Sequence, residues 1–263
     1  MLVPKHGVFY TLDKYGNQVL RNLKEENKNF NHDDYYKGIY DSYNYLYYEN
    51  FECYHNDAQG SDYFRMGCKV QKGMKVLDLG ANIGFFALNA YRLGADKVYC
   101  FEPIKKTFRC LLDNCNIVFH HDVIECFNLG VSDLSGCVPF EIPHDWSHNG
   151  GGTISGNDKN LKDAFYSENC AVIDAEILFN DSIWGNVDFL KIDIEGAERR
   201  VLEKIPDHML KRLKCIAGEF HCHDDSFEKF QHDFINRCYT FGFQSFVLYQ
   251  GDCTLRTVHL WKD

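Results

Sequence analysis

Three carboxylates fall within the stretch "KIDIEGAE", residues 191–198: Asp193, Glu195 and Glu198. They follow the apolar positions Val187, Phe189, Leu190 and Ile192, so they mark the end of a buried strand. Clustered negative charge is costly unless water, a cation or a ligand offsets it, which makes this strand end a candidate reaction site. Further on, "GEFH" places Glu219 and His221 on one face of another strand, and histidine titrates near neutral pH. Two chemistries are open to this set. In one, Asp193 or His221 takes a proton from a bound hydroxyl, with Glu195 close enough to assist. In the other, Asp193 and Glu219 hold a divalent cation such as Mg²⁺, which lowers the hydroxyl pKa. Glu198 falls in the first turn of the following helix, where a carboxylate complements the dipole and serves structure.

A second constellation lies upstream. "VLDLGANIGFF" (76–86) is a short buried strand running into a turn of the form D-x-G-x-N-x-G, with Asp78, Gly80, Asn82 and Gly84 in the named positions. A dinucleotide fingerprint starting at Gly80 would need glycines where Asn82 and Phe85 stand, which argues against a nicotinamide-dependent oxidoreductase. The next strand ends in "FEP", and Glu102 stands where an acid grips both hydroxyls of a ribose. A carboxylate before the turn suits a cationic ligand, and an adenosine with a positively charged amino-acid tail satisfies both features. S-adenosylmethionine is such a ligand.

The elements that would position these groups alternate. Strands are expected at 74–80, 97–103, 123–133, 187–193 and 215–220, with helices at 85–94, 104–116, 196–204 and 226–239 and two closing strands near 243–249 and 253–260. This rhythm implies parallel β-α-β units in one α/β domain, with ligands beyond the carboxyl ends of the strands. Residues 1–65, dense in tyrosine and asparagine, read as an irregular or helical cap. Tyrosines between 35 and 54 could fold over the crevice as a lid or form an interface. The rhythm also breaks over 141–169, whose glycines and polar groups suit a mobile active-site loop or a plain surface loop. His144, Trp146 and His148 there could stack on a sugar. "CAVIDAEILF" (170–179) reads as an edge strand.

Together, "VLDLGANIGFF", "CFEP", "VDFLKIDIEGAE" and "GEFH" resemble the FkbM family of class I S-adenosylmethionine-dependent methyltransferases over roughly residues 70–225. The resemblance implies a Rossmann-like, seven-stranded, mostly parallel sheet of order 3-2-1-4-5-7-6 with helices on both faces. It also implies O-methyl transfer to a sugar, glycan or other small-molecule hydroxyl. By position, Asp78, Gly80, Ala81, Asn82, Gly84 and Phe85 would line the methionine end of the cofactor. Glu102 and Pro103 would meet the ribose, and the stretch carrying Asn128, Ser132 and Asp133 would approach the adenine. Where the family commonly has Thr-Leu-Asp, this chain reads "AEILFND" (175–181). A non-catalytic module built on this fold would show a damaged cofactor motif, whereas here the motif is intact.

Composition narrows the partners. The formal net charge is −10, from 28 Lys+Arg against 38 Asp+Glu, which disfavours nucleic-acid backbones. No apolar run reaches the roughly 20 residues of a membrane span, and the first residues lack signal-peptide features, so a cytoplasmic location is expected. Twelve cysteines without a C-x-x-C pair read as reduced, mostly buried thiols.

Overall fold

The computed structural model describes residues 8–12, 18–22, 63–64, 66–118, 122–143, 153–154, 165–221, 225–250 and 255–263. The first two stretches are strands β1 (Val8–Leu12) and β2 (Gln18–Asn22), paired antiparallel where an irregular or helical cap is expected. The tyrosines between 35 and 54 lie outside the described residues, as do His144, Trp146 and His148.

From Lys75 the chain alternates as its periodicity predicts: β3 (Lys75–Leu79), α1 (Phe85–Arg92), β4 (Lys97–Phe101), α2 (Lys105–Val118) and β5 (Ile124–Phe127). The expected single strand over 123–133 is in fact two. After Phe127 the chain leaves the main sheet, and β6 (Gly130–Ser132) pairs instead with a second sheet. That sheet also holds β7 (Gly136–Pro143), β8 (Thr153–Ile154) and β9 (Phe165–Asp174), in the order β6-β9-β7-β8. The span 141–169, expected as a loop, therefore carries the end of β7, all of β8 and the start of β9. Its alternation was obscured by interrupting glycines and polar residues.

The edge strand expected over 170–179 ends at Asp174, whose carboxylate caps α3 (Ala175–Asn180) by accepting from the Glu176 amide. A side-chain cap of this kind ends a strand and starts a helix in one residue. The alternation then resumes with β10 (Phe189–Ile192), α4 (Glu198–Leu202), α5 (Asp207–Arg212), β11 (Cys215–His221), α6 (Asp225–Thr240), β12 (Gln244–Gln250) and β13 (Leu255–Trp261). The main sheet runs β12-β13-β11-β10-β3-β4-β5. The strands from β11 to β5 are parallel, and β13 is antiparallel to both of its neighbours. Read in order of strand position, this is 3-2-1-4-5-7-6, the order the family resemblance implies.

The alternation of side chains across this sheet builds two cores. On one face Leu77, Leu79, Leu190 and Ile192 pack against α4, α5 and α6. On the other, Val76, Val98 and Phe189 pack against α1 and α2. Tyr63 and Phe64, ahead of the expected domain start at 66, join this second core through Phe86, with Phe64 stacked on it at 5.1 Å. The described cysteines are free thiols, most of them buried. No helix among the described residues is long and apolar enough to cross a membrane.

Candidate functional site

The strand period places two charges inside the second core. Asp78 follows Val76 by two residues on β3, and Lys191 follows Phe189 by two on β10, so both side chains face α1 and α2. They are also register partners across the parallel pair. Asp78 is 0% exposed and Lys191 3%. The Lys191 ammonium lies 3.3 Å from Asp78 Oδ1 and 3.8 Å from Asp193 Oδ2, and donates to the Gly80 carbonyl at 2.6 Å. Burial would lower the lysine pKa, but the charges of Asp78 and Asp193 carry it above its ordinary value, so Lys191 stays an ammonium. Burial also pushes Asp78 up to about 6, against the pull of Lys191. Lys191 is visible as the first residue of "KIDIEGAE", but a lysine near the end of an apolar strand shows no partner until the register is known.

The glycine turn closes over this pair. Gly80 has φ +80, and a Cβ there would collide with the carbonyl oxygen of Asp193, so glycine alone lets the two strand ends approach. Asn82 also takes the left-handed conformation, at φ 51, which its short polar side chain tolerates. Its amide donates to Glu102 Oε2 at 3.0 Å, and the Ile104 amide donates to Oε1 at 2.9 Å. Glu102 is thus a brace as well as an acid at the strand end, and burial pushes it up to about 7 against those two donors. Asn128 donates to the carbonyls of Glu102 and Pro103, tying the end of β5 to the same turn. Ala81 is buried, and the backbone of Phe85 opens α1. Ser132 and Asp133 are placed elsewhere, on and just after β6: the Ser132 hydroxyl donates to Asp133, which lies 3.7 Å from Arg200.

The acid cluster assembles on the same side of the sheet as Lys191. Asp193 lies just beyond β10, while Glu219 sits within β11 rather than at its end, because that strand continues to His221. Ligand atoms of Asp193, Glu219 and His221 all lie within 4.8 Å of one another, close enough to share a cation. Asp193 Oδ2 accepts from the Tyr63 hydroxyl at 2.8 Å. Burial, then the charge of Asp193, pushes the Tyr63 pKa well above its ordinary value, so the phenol remains a donor. Tyr63 carried no motif, and nothing in its local sequence singles it out among so many tyrosines.

Glu195 sits in the turn after β10 with φ 53, and its Oε2 is 3.3 Å from His221 Nε2. Burial and the neighbouring Asp193 push it up to about 7, against the opposing His221. His221 Nδ1 faces Glu198 Oε1 at 3.2 Å. Burial would lower the histidine pKa, but the hydrogen bond and charge of Glu198, with Glu195 and Asp193 adding, carry it up to about 9. At neutral pH the ring is therefore an imidazolium held between Glu195 and Glu198, which leaves it no lone pair for a hydroxyl proton. Glu198 is the first residue of α4, as expected, and is 0% exposed.

The model of the Methyltransferase FkbM domain family matches residues 78–243, which span both the glycine turn and the acid cluster. Among curated proteins, the chain is 28% identical over 183 residues to 31-O-demethyl-FK506 methyltransferase FkbM of Streptomyces tacrolimicus, covering 60% of this chain and 70% of that protein. It is 26% identical over 190 residues to AMB antimetabolite synthetase AmbE of Pseudomonas aeruginosa, covering 60% of this chain but 9% of that protein. Among solved structures, Methyltransferase FkbM from Methylobacillus flagellatus aligns with TM-score 0.50 at 15% identity, covering 91% of this chain. The chain spans 57% of that neighbour's length, and the likeness is one of fold.

Proposed function

The chain belongs to the FkbM methyltransferase family, and from that premise we propose that it moves a methyl group from S-adenosylmethionine to a hydroxyl of a sugar, glycan or other small molecule. The observation that carries this reading is the contact of Gly80 with Asp193, which sets the glycine turn directly against the acid cluster. A cofactor side and an acceptor side thus share one wall. Asp78, Gly80, Ala81, Asn82, Gly84 and Phe85 would hold the methionine end, Glu102 and Pro103 the ribose, and Asn128 the approach to the adenine. Ser132 and Asp133, occupied with each other and Arg200, are weaker candidates for that edge. The residues fit a cationic guest: buried Asp78 has both oxygens without a hydrogen bond, and a single ammonium, Lys191, lies against both it and Asp193.

When bound, S-adenosylmethionine supplies an electrophilic methyl on a sulfonium. The chain's own work is to orient the acceptor hydroxyl in line with that methyl and to take its proton. Asp193 is anchored by Tyr63 and Lys191 and suits orientation. Glu195, beside His221 at the mouth of the turn, suits proton acceptance. A second reading, in which Asp193 and Glu219 hold a Mg²⁺-type cation that acidifies the hydroxyl, is favoured by the convergence of their oxygens within 4.8 Å.

Calorimetry with S-adenosylmethionine and with NAD, followed by a panel of hydroxylated acceptors with tritiated S-adenosylmethionine, tests the reading. Binding of the first ligand alone, with label transferred to a hydroxyl, is the expected result. No binding at millimolar S-adenosylmethionine overturns it. Full transfer in excess EDTA removes the metal version and leaves the direct one.

A further inference from the structure

Glu198 is a fully buried carboxylate in a helix of only five residues, and its neighbours exceed what starting a helix requires. It accepts from the amides of Ile194 at 3.0 Å and Gly196 at 3.1 Å. Those two amides flank Glu195, the residue held at φ 53. A non-glycine residue in that region costs on the order of 1–3 kcal/mol, so the surroundings must hold it there. The same carboxylate faces His221 Nδ1 at 3.2 Å, while Nε2 of that ring faces Glu195 Oε2 at 3.3 Å. Glu198 therefore reaches Glu195 twice: through the backbone on either side, and through the imidazole against its side chain.

We propose that Glu198 is a positioning residue that acts through His221 and the 194–196 turn to preset the Glu195 carboxylate toward the acceptor. The proposal rests on reading this crevice as the acceptor side of a methyltransferase. Glu198 keeps a proton on Nδ1 of His221 and so fixes which edge of the ring meets Glu195. A mere brace for the turn would need only the two amides. Glutamine at this position keeps the volume but loses the charge, and its NH₂ opposes a donor in either orientation: at Oε2 it meets the Gly196 amide, and at Oε1 it meets the Ile194 amide and the ring.

The test is ¹⁵N NMR of the full chain labelled in its histidine rings, with His221→Asn used to assign the His221 signals. In the unaltered protein the Nδ1 proton of His221 is expected to be protected from exchange. Glu198→Gln is expected to lose that protected signal while circular dichroism shows a folded chain. A folded Glu198→Gln protein with unchanged His221 signals overturns the proposal and leaves Glu198 a brace. Should Glu198→Gln fail to fold, Glu195→Gln decides: the Nε2 signal moves and the protected Nδ1 signal stays, or, if Nδ1 is lost as well, the proposal fails. Calorimetry of the unaltered protein with S-adenosylhomocysteine runs alongside. Absent binding there sinks the methyltransferase reading, while the His221 signals still report on Glu198 independently.

Discussion

Lys191 and Asp78 are register partners on adjacent parallel strands, and they form a 3.3 Å ion pair with neither side chain in contact with bulk water. Breaking such a pair by removing one member leaves a buried charge uncompensated, at a cost of about 3–5 kcal/mol. Lys191→Met is therefore expected to lower the denaturation midpoint severely, since fully buried Asp78 then loses its ion-pair partner. Asp78→Asn combined with Lys191→Met is expected to recover much of that loss, because the fully buried Asp78 position then carries no charge. Denaturant unfolding of both single variants and the double variant measures the coupling. Additive losses would show that the two groups are not paired in solution.

Gly80→Ala adds a Cβ that collides with the Asp193 carbonyl oxygen at a position whose φ is +80. The clash is with backbone, so neither strand end can yield by turning a side chain. The turn is expected to open, weakening S-adenosylhomocysteine binding at least tenfold by calorimetry and costing about 1–3 kcal/mol of stability. Gly136→Ala is the comparison, since a Cβ there meets nothing within 4 Å and it also has a positive φ. Equal cofactor affinity in both variants would separate the turn from the cofactor site.

The alternation of strands and helices, the glycine turn and the acid cluster are legible in the chain because each rests on local pattern: apolar runs, glycine spacing, and carboxylates at strand ends; the order of the strands followed only from the family resemblance. What escaped depends on register and on contacts distant in sequence. Lys191 is informative only beside Asp78, and Tyr63 only where it meets Asp193, 130 positions away. The second sheet escaped for a related reason. Its pairing of β6 with β9 joins segments that a polar, glycine-bearing stretch separates, and no two-residue turn marks the connection.

Tyr63→Phe removes the hydroxyl that donates to Asp193 Oδ2 while keeping the ring against Phe86. A hydrogen bond to a charged group contributes about 1.5–3 kcal/mol, and part of that should appear as lost stability. Cofactor affinity is expected to change little, because the lost hydroxyl bonds Asp193 while the ring stays against Phe86. Methyl transfer to any acceptor found in the tritium panel is expected to fall several-fold. Unchanged transfer together with unchanged stability would show the contact to be incidental.

Glu102 sets a pH dependence of stability whose sign follows from burial. Its carboxyl is raised from the ordinary 4.5 to about 7 in the folded chain. Between those values the unfolded chain releases this proton while the folded chain keeps it. The folded state then binds more protons, so stability falls as pH rises. The contribution is complete below about 4.5 and gone above about 7. Asp78, raised from 3.8 to about 6, and Glu195, raised to about 7, act in the same direction over overlapping intervals. His221, raised to about 9, adds a later loss as pH climbs through that value. Thermal midpoints of the cofactor-free protein should therefore decline from pH 5 to pH 7.5. Glu102→Gln, which cannot ionise, should decline less steeply over the same interval, the remainder belonging to Asp78, Glu195 and, from about 6.5 upward, His221. Parallel curves for the two proteins would mean that Glu102 ionises in the fold as freely as in the open chain. Its two amide donors, from Asn82 and Ile104, would then outweigh its burial.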